Sequence, residues 1–459
     1  MIDTNTPEFL SELLEVENLF YGENFNIIHR LKKSDGKLIN TITVNGQTYA
    51  YGNLVKPFSS IIEEKRLTKR YAKLSLYKAL ERVTGISLPW GALTGIRPTK
   101  LAYDNIEHEG EFSSFFTGVM KVSEEKTALI ERILESQKNI YVKDDENTDF
   151  FVFVPFCPSR CKYCSFICSD VKSAQKYIDE YVDALVKEIE FSVKFVKKLR
   201  SIYVGGGTPV SLSNENLIKI LKALCKINTG VEFTVEAGRP DCITKESLSI
   251  LKDFGVNRIC INPQTFNDNT LKALNRNHTA NDVIEKYTLA KDKFSINMDL
   301  IAGLEGENFD IFKDTLQKTI SLSPDNITVH TLCVKKGSSL ALEKKFVEKG
   351  QVELMVNYAH NSLSKNGYNP YYLYRQKYMA GNLENVGYSK KGKECVYNID
   401  TMEEISNTVA CGANAISKRV TCSKNLVERY ASPKDVLTYL NKQEKIYEGK
   451  SKLFLKNLI

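Results

Sequence analysis

Between residues 150 and 332 the chain alternates short apolar runs with longer amphipathic stretches. The first run, FFVFVPF, is continuously apolar, which is typical of a strand buried on both faces. The stretch AQKYIDEYVDALVKEIEFSVKFVKKL then places apolar residues at helical spacing and predicts a long amphipathic helix. This alternation continues through six strands. It predicts an α/β fold, in which a parallel sheet with helical crossovers is curved into a barrel or part of one.

The predicted strands are FFVFVPF (150–156), RSIYVGGG (200–207), VEFTVEA (231–237), VNRICINPQ (256–264), FSINMDLIAGL (294–304) and NITVHTL (326–332). The predicted helices between them cover residues 174–199, 214–227, 244–255, 267–275 and 309–322.

The first 145 residues have a different pattern of apolar and polar positions, which predicts a separate α+β domain. Residues 25–52 alternate β-branched and polar positions around Asp35-Gly36 and Asn45-Gly46, two hairpin signals. A helical stretch from about Pro57 to Val83 follows. The charged segment VKDDENTD (142–149) reads as a linker. We therefore expect an accessory domain at 1–145, a barrel core at 146–335 and a mostly helical, substrate-side extension at 336–459.

Composition limits the classes of function. The chain has 459 residues, 42% apolar and 26% charged, and no apolar run long enough for a membrane span. The N-terminus lacks the basic and apolar regions of a secretory signal, so we expect a cytoplasmic protein. The net charge of +7 is small for this length. It fits an anionic small substrate and does not by itself indicate nucleic acid.

Four of the eleven cysteines lie between positions 157 and 168. Cytosolic thiols stay reduced, so this density indicates metal binding or catalysis rather than disulfides. The spacing Cys157-x3-Cys161-x2-Cys164 follows the first predicted strand, where a barrel active site would lie. Three cysteines in one loop suit a [4Fe–4S] cluster with one open iron. A zinc knuckle completed by Cys168 is the weaker alternative.

This CxxxCxxC motif after a buried strand resembles the radical S-adenosylmethionine superfamily. The resemblance implies a partial (β/α)6 TIM-like barrel, a [4Fe–4S] cluster and S-adenosylmethionine as cofactors. In that superfamily the methionine moiety chelates the open iron. An electron from the cluster then cleaves the sulfonium C–S bond and yields a 5′-deoxyadenosyl radical.

Further motifs narrow the family. The segments YVGGGTP (203–209), TVEAGRPD (234–241), INPQTFNDNTLKALNR (261–276) and NMDLIAGLEGE (297–307) resemble the oxygen-independent coproporphyrinogen III oxidase family. That family places a second S-adenosylmethionine beside the first. LPWGALTGIRPTKL (88–101) and NPYYLYRQKYMAGNLENVGY (369–388) resemble its longer coproporphyrinogen dehydrogenase, or HemZ-type, branch.

The resemblance assigns site residues position by position. It implies three groups: cluster ligands Cys157, Cys161 and Cys164; contacts to the first S-adenosylmethionine at Gly206 and Glu236; and contacts to the second at Tyr163, Gly207, Thr208, Gln264, Arg276, Asp299 and, loosely, Cys333. Gln264, Arg276 and Asp299 are the predicted catalytic residues. Phe151 and Phe153 depart from the family, which has Tyr and His there. Cys168 is predicted to be a free thiol. Arg375 is predicted to bind a substrate carboxylate, because a planar guanidinium suits one.

The resemblance implies oxidative decarboxylation of coproporphyrinogen III to protoporphyrinogen IX in haem biosynthesis. The implied partners are a tetrapyrrole substrate and an electron donor, either a reductase or a flavodoxin or ferredoxin. Two alternatives stay open. One is a haem-binding chaperone on the same fold, although its usual H-N-x-x-Y-W stretch is not found here. The other is a radical enzyme acting on another tetrapyrrole, which the departures at Phe151 and Phe153 keep in consideration.

Overall fold

The computed structural model describes residues 1–20, 24–55, 57–58, 61–94, 97–166, 168–333, 349–376, 379 and 382–455. The chain forms two compact units: Met1–Glu131 with Arg375–Lys377, and Arg132–Tyr374 with Tyr378–Ile459. The predicted domain boundaries after residues 145 and 335 stay predictions, and the second lies outside the described residues.

The first unit holds a four-stranded sheet in the order β1-β2-β3-β4. Its strands are β1 (Ile2–Thr4), β2 (Ile27–Ser34), β3 (Lys37–Val44) and β4 (Gln47–Leu54), and its helices include α1 (Leu10–Glu17), α2 (Ile61–Thr84) and α3 (Pro98–Glu109). Both predicted hairpins are confirmed. Their turn residues have left-handed φ angles, 48° and 71° at Asp35-Gly36 and 47° and 87° at Asn45-Gly46. Two positive φ values in succession match the twist of paired strands.

The remaining strands are β5 (Asn147–Val154), β6 (Phe156–Cys157), β7 (Ser169–Asp170), β8 (Lys198–Gly206), β9 (Glu232–Gly238), β10 (Arg258–Ile261), β11 (Ser295–Ala302), β12 (Asn326–Thr331), β13 (Asn369–Tyr374), β14 (Asn385–Ser389), β15 (Asn407–Cys411), β16 (Ile416–Thr421) and β17 (Leu426–Ala431). The remaining helices are α4 (Glu124–Gln137), α5 (Val171–Ser192), α6 (Asn214–Cys225), α7 (Lys245–Asp253), α8 (Asp268–Ala273), α9 (Ala280–Ala290), α10 (Phe309–Leu322), α11 (Lys349–Lys365), α12 (Val396–Glu403), α13 (Val436–Leu440) and α14 (Gln443–Phe454).

The six predicted barrel strands pair side by side and in parallel, as β5-β8-β9-β10-β11-β12. The sheet ends at β13 and β17 among the described strands, so it is a partial barrel. The extension supplies helices, as expected, and also five strands. Of these, β14 and β13 extend the β12 edge, while β15, β16 and β17 extend the β5 edge. No helix in the described part of the chain is long and apolar enough to cross a membrane.

Every crossover helix begins at a short polar residue whose side chain accepts a hydrogen bond from the first turn. These residues are Asp170, Ser213, Thr244, Asn267, Thr279 and Asn308. Such caps satisfy backbone N–H groups that lack a partner within the helix. The helix α9 was not predicted from the hydrophobic pattern. Its reciprocal capping box between Thr279 and Asp282 is the sequence signal that would have found it.

A buried ion pair joins α5 to α14. Lys450 Nζ lies 2.7 Å from Glu188 Oε1, and both side chains are 0% exposed. Lys450 also donates to Ser192 Oγ at 2.9 Å, and Glu188 Oε2 accepts from the Tyr439 hydroxyl at 2.5 Å. A buried charge is tolerated when it is paired with a charge of opposite sign. This network fixes the C-terminal helix against the first barrel helix.

We expect Lys450→Met to destabilise the protein by about 3–5 kcal/mol, because Glu188 is then left buried without its cation. Urea denaturation gives the free energy of unfolding. The matched control is Lys219→Met, which breaks an exposed 2.6 Å ion pair with Asp183 and should have a far smaller effect. Equal losses of unfolding free energy in the two variants would show that the buried network stabilises the protein no more than an exposed ion pair does.

Candidate active site

The three predicted cluster cysteines lie in one loop at the carboxyl end of β5. Cys157 ends the short strand β6, and Cys161 and Cys164 follow it in the loop. All three are half-buried free thiols. The Cys164 N–H donates to the Cys161 carbonyl at 3.1 Å, which folds the loop into a tight turn. One short segment thus presents three thiols, as a cluster with an open iron requires.

The loop is attached to the segment that follows α8. The Lys162 N–H donates to the Leu274 carbonyl at 3.2 Å. Ser159 Oγ donates to the Asn275 carbonyl at 3.1 Å, and Asn275 Nδ2 donates to the Arg160 carbonyl at 2.9 Å. Asn275 has a φ of 61°, a left-handed conformation that asparagine tolerates better than most residues. These bonds fix the position of the loop on the barrel.

Hydrogen-bond donors from three other segments point at the cysteine sulfurs. Thr208 Oγ1 donates to Cys157 Sγ at 3.6 Å. Arg239 Nη1 and Arg276 Nη1 both donate to Cys161 Sγ, at 3.4 and 3.8 Å. Donors of this kind stabilise a thiolate over a thiol, and only thiolates ligate iron. The surroundings of the loop therefore fit an anionic iron–sulfur cluster.

Cys168 lies beside the first of these cysteines. A hydrogen bond from the Cys168 thiol, together with one from Thr208 and against the effect of burial, lowers the pKa of Cys157 to about 7. Cys168 Sγ is 3.7 Å from the Gly206 carbonyl oxygen, and its side chain packs beside Phe153. These contacts place Cys168 next to the predicted ligands. The prediction that it is not itself a ligand stays a prediction.

The glycine triplet at the end of β8 allows close packing against the cysteine-bearing segment. A Cβ on Gly206 would lie 2.6 Å from the Phe153 ring, and one on Gly207 would lie 2.4 Å from the Phe156 carbonyl oxygen. The same carbonyl accepts from the Thr208 N–H at 2.7 Å. Side chains are thus excluded here by protein contacts alone. The cofactor contacts expected of Gly206, Gly207 and Thr208 stay predictions.

Glu236 lies at the carboxyl end of β9, next to Tyr203 of β8. The Tyr203 hydroxyl donates to Glu236 Oε1 at 2.6 Å. Burial raises the pKa of Glu236 to about 7; the Tyr203 bond opposes this effect and the charge of Asp299 adds to it. The carboxyl group therefore titrates near neutral pH. A cationic ligand would favour its ionised form.

Gln264 follows β10 in a strained conformation with a φ of 67°. Its N–H donates to the Asp299 carbonyl at 2.9 Å, which fixes the backbone against β11. Its side-chain Oε1 is buried and has no hydrogen-bond partner among the described residues. A buried acceptor without a partner is costly and calls for a ligand or water. The residue therefore fits its predicted role as a cofactor contact.

Asp299 belongs to a polar chain that crosses β11, β12 and β13. Its Oδ1 accepts from Asn297 Nδ2 at 2.8 Å, and its Oδ2 lies 3.6 Å from His330 Nε2. His330 Nδ1 is 3.2 Å from the Tyr374 hydroxyl. Burial raises the pKa of Asp299, but the neighbouring His330 and Asn297 outweigh it and hold the pKa below its usual value. Asp299 is thus an anion at neutral pH.

Arg276 connects the ends of β9 and β10 to the cysteine loop. Its Nη1 donates to the Tyr163 hydroxyl at 2.9 Å, and its Nη2 donates to the carbonyls of Asn262 at 2.5 Å and Gly238 at 3.3 Å. Its Nε is buried without a hydrogen-bond partner in the described part of the chain. The Tyr163 ring packs against Leu274, and burial raises its pKa. Both predicted residues therefore lie in the wall beside the cysteine loop.

The last two predicted residues make other contacts. Cys333 follows β12 and forms an isolated β-bridge with Met379. Arg375 is 3% exposed, its guanidinium lies 4.9 Å from the centre of the Trp90 ring, and it donates to the Leu93 carbonyl. The assignments of Cys333 to the second cofactor and Arg375 to a substrate carboxylate stay predictions.

The sequence motifs assigned no role to several polar residues of this region. They are Tyr203, Arg239, His330 and Tyr374. Arg239 and His330 lie at or just beyond the carboxyl ends of barrel strands, where barrel active sites are built. That positional rule would have singled them out. Tyr374 lies on a strand of the extension that was not predicted.

Comparisons with known proteins show which family the chain belongs to. Residues 151–319 match the radical SAM superfamily. The chain is 35% identical over 477 residues to the oxygen-independent coproporphyrinogen-III oxidase-like protein HemZ of Bacillus subtilis (strain 168), covering 96% of this chain and 94% of that protein. It is 33% identical over 238 residues to the heme chaperone HemW of Lactococcus lactis subsp. lactis (strain IL1403), covering 49% of this chain and 60% of that one. The structure of coproporphyrinogen III oxidase (HemN) from Escherichia coli superposes with a TM-score of 0.55 at 21% identity, over 71% of this chain and 74% of that chain.

The fold and the site thus define a radical S-adenosylmethionine protein, whose cofactors are a [4Fe–4S] cluster and S-adenosylmethionine. More narrowly, the chain belongs to the family of oxygen-independent coproporphyrinogen-III oxidase-like proteins. The expectations of fold class, family and cofactors are confirmed. The roles of individual residues and the binding of a second S-adenosylmethionine stay predictions.

We expect serine substitution of Cys157, Cys161 or Cys164 to remove most of the cluster, because each would ligate one iron. Cys168→Ser is the matched control in the same loop and should keep the full complement of about four irons and four sulfides per chain. Iron and sulfide analysis of anaerobically reconstituted protein measures both. Loss of iron in the Cys168 variant alone would reassign the ligands.

We also expect the affinity for S-adenosylmethionine to rise as the pH passes upward through about 7, where Glu236 ionises. Below that pH the affinity should change by up to about tenfold per unit, since one proton is lost on binding a cation. The stability of the unliganded fold should change with pH in the opposite direction to this affinity. Because the pKa of Glu236 is raised, the unliganded fold loses stability as the pH rises from the ordinary glutamate value of 4.5 to about 7, and the loss persists at higher pH.

Calorimetric titration of the cluster-loaded protein at several pH values measures this affinity. Glu236→Gln keeps the shape of the side chain and cannot ionise, so its pH dependence should be flatter than that of the parent. Parallel pH profiles for the two proteins would assign the titration to another group.

Proposed function

We propose that this protein catalyses the oxygen-independent oxidative decarboxylation of coproporphyrinogen III to protoporphyrinogen IX in haem biosynthesis. The observation that carries the proposal is the similarity to the HemZ oxidase-like protein over 96% of the chain. That similarity includes the first unit and the extension as well as the radical SAM barrel at residues 151–319. A barrel match alone would support only the superfamily.

A cluster held by Cys157, Cys161 and Cys164, together with S-adenosylmethionine, would supply a radical able to take a β-hydrogen from a propionate of ring A or B. The substrate radical would then lose carbon dioxide and pass one electron to an external one-electron acceptor, and a vinyl group would remain. Two rounds convert two propionates. The protein's own contribution is to orient the reacting groups and exclude water. A reductase, flavodoxin or ferredoxin is the proposed electron donor.

The charges at the carboxyl ends of the strands support binding of a sulfonium cofactor. Asp299 is anionic, and Glu236 ionises near pH 7. The buried Oε1 of Gln264 adds an acceptor without a partner among the described residues. An ammonium or sulfonium group is matched by carboxylates and amide oxygens in a partly buried site.

Aromatic rings near these carboxylates support binding of the apolar macrocycle of such a substrate. Tyr203 and Tyr397 stack with ring centroids 4.3 Å apart, and Phe151 stacks on Tyr397 at 5.9 Å. On β13, near the opposite edge of the sheet, the rings of Tyr372 and Tyr374 stack with centroids 6.3 Å apart. Apolar walls with a few placed polar groups are typical of sites for large cofactor-like molecules. Phe151 keeps the ring of the family's tyrosine and lacks its hydroxyl.

The test is turnover of coproporphyrinogen III by the anaerobic, fully clustered protein with S-adenosylmethionine and a reductant. We expect vinyl products by mass spectrometry, with 5′-deoxyadenosine formed in proportion. Cys164→Ser, which lacks a cluster ligand, is the control and should form neither. Absence of vinyl product from protein with a full cluster and bound S-adenosylmethionine would reject this function.

The second candidate is a haem chaperone, which the 33% identity to the heme chaperone HemW over 49% of the chain favours. It predicts stoichiometric haem binding, seen in the Soret absorption, without consumption of S-adenosylmethionine. In place of the chaperone's usual stretch this chain has NLENVGY, which forms β14 from Asn385 onward. Haem binding without turnover in the same preparation would decide for the chaperone.

A further inference from the structure

Two guanidinium groups converge on a single predicted cluster ligand. Arg239 Nη1 lies 3.4 Å and Arg276 Nη1 3.8 Å from Cys161 Sγ, and both arginines are buried. The side-chain donor at Cys157 is the uncharged Thr208, whose Oγ1 lies 3.6 Å from the sulfur. The two buried guanidinium donors therefore converge on Cys161, while Arg239 also acts through its charge on Cys157 and Arg160 on Cys164.

Arg239 has no role in the site as predicted from the sequence, yet it is held firmly. It is 4% exposed. Its Nε and Nη2 donate to the two carboxylate oxygens of Asp241 at 2.9 and 2.8 Å, in a bidentate pair. Nη1 and Nη2 both reach Ser159 Oγ at 3.2 Å. The fork of the guanidinium is thus occupied on one edge by Asp241, which directs Nη1 at the sulfur.

We propose that Arg239, positioned by Asp241 and Ser159, is a tuning residue that favours the reduced state of the cluster bound through Cys161. Reduction adds one electron from an external reductant and neither forms nor breaks a protein bond. A reduced cluster is more negative than an oxidised one. A buried cation and an N–H donor at a ligand sulfur therefore stabilise the reduced state more.

Arg239 is a better probe of this effect than Arg276. The guanidinium of Arg276 is shared with Tyr163, Asn262 and Gly238, and it is a predicted cofactor contact. Among the described residues, the side-chain hydrogen bonds of Arg239 go to Ser159, Asp241 and Cys161. Its substitution therefore changes the charge at the sulfur without removing a predicted cofactor or substrate contact.

The experiment is a redox titration of the reconstituted full-length protein, followed by electron paramagnetic resonance, without S-adenosylmethionine or substrate. For Arg239→Gln we expect the equilibrium constant for one-electron reduction to fall about tenfold, which is about 59 mV for a one-electron couple. Because no substrate is present, the outcome is independent of the proposed decarboxylation.

Asp241→Asn provides a test of opposite sign. It removes the anion that partly compensates Arg239 and keeps the shape of the carboxylate, so reduction should become easier. The double variant Arg239→Gln with Asp241→Asn removes both charges and should lie between the two single variants. It also avoids leaving Asp241 unpaired, and it serves as the test if Arg239→Gln alone does not hold a cluster.

The matched control is Arg258→Gln. Arg258 is 6% exposed and pairs with Glu232 at 3.2 Å, at the opposite, amino end of the strands. Its loss should leave the cluster's potential unchanged. The proposal is overturned if a fully clustered Arg239→Gln protein keeps the parent potential. It is also overturned if Arg239→Gln and Asp241→Asn shift the potential in the same direction, since that result indicates only a structural role.

Discussion

The backbone pairing of β5 with β8 is the constraint on which the site depends. In this register Val154 lies opposite Gly206, so the cysteine loop and the glycine triplet leave the sheet side by side. The approach is close enough that a Cβ on Gly206 would collide with the Phe153 ring. Parallel pairing then brings the ends of β9, β10 and β11 into the same row. Glu236, Gln264 and Asp299 face one region because their strands run in one direction.

Within that region, the surroundings of two carboxyl groups shift their pKa values in opposite directions. Burial keeps Glu236 near the balance between its two protonation states, whereas His330 and Asn297 hold Asp299 ionised. The cysteine loop has the opposite electrostatic character, because buried guanidinium groups surround Cys161. These surroundings would suit an anionic cluster at the cysteine loop and a cationic cofactor at the ends of the strands. In the proposed function, this division of charge would be the barrel's contribution to the chemistry.

The extension explains how a partial barrel is stabilised at its edges. The strands β14 and β13 cover the β12 edge, and β15 pairs in parallel with β5. Exposed strand edges are prone to association, so added strands protect the sheet. The buried Lys450–Glu188 pair then ties the final helix to α5. Tyr374, which hydrogen-bonds to His330, also comes from this extension, so the added segment takes part in the site.

The sequence by itself determined the barrel strands, the two N-terminal hairpins and the identity of the cysteine motif. Each of these depends on local information: apolar runs, Asp-Gly and Asn-Gly turns, and fixed cysteine spacing. The family and its cofactors followed from the same local motifs. The helix at Ala280–Ala290 was missed because its apolar stripe is modest, although its capping box was present.

Only the tertiary structure decided which distant groups meet. The two arginines at Cys161 are 78 and 115 positions away from it in sequence. The Tyr374 hydroxyl, which contacts His330, comes from 44 positions away. The strands of the extension joined opposite edges of one sheet, which no local pattern specifies. Such contacts, and the pKa changes they cause, arise from burial and from the register of paired strands. Both are properties of the packed chain rather than of any segment of it.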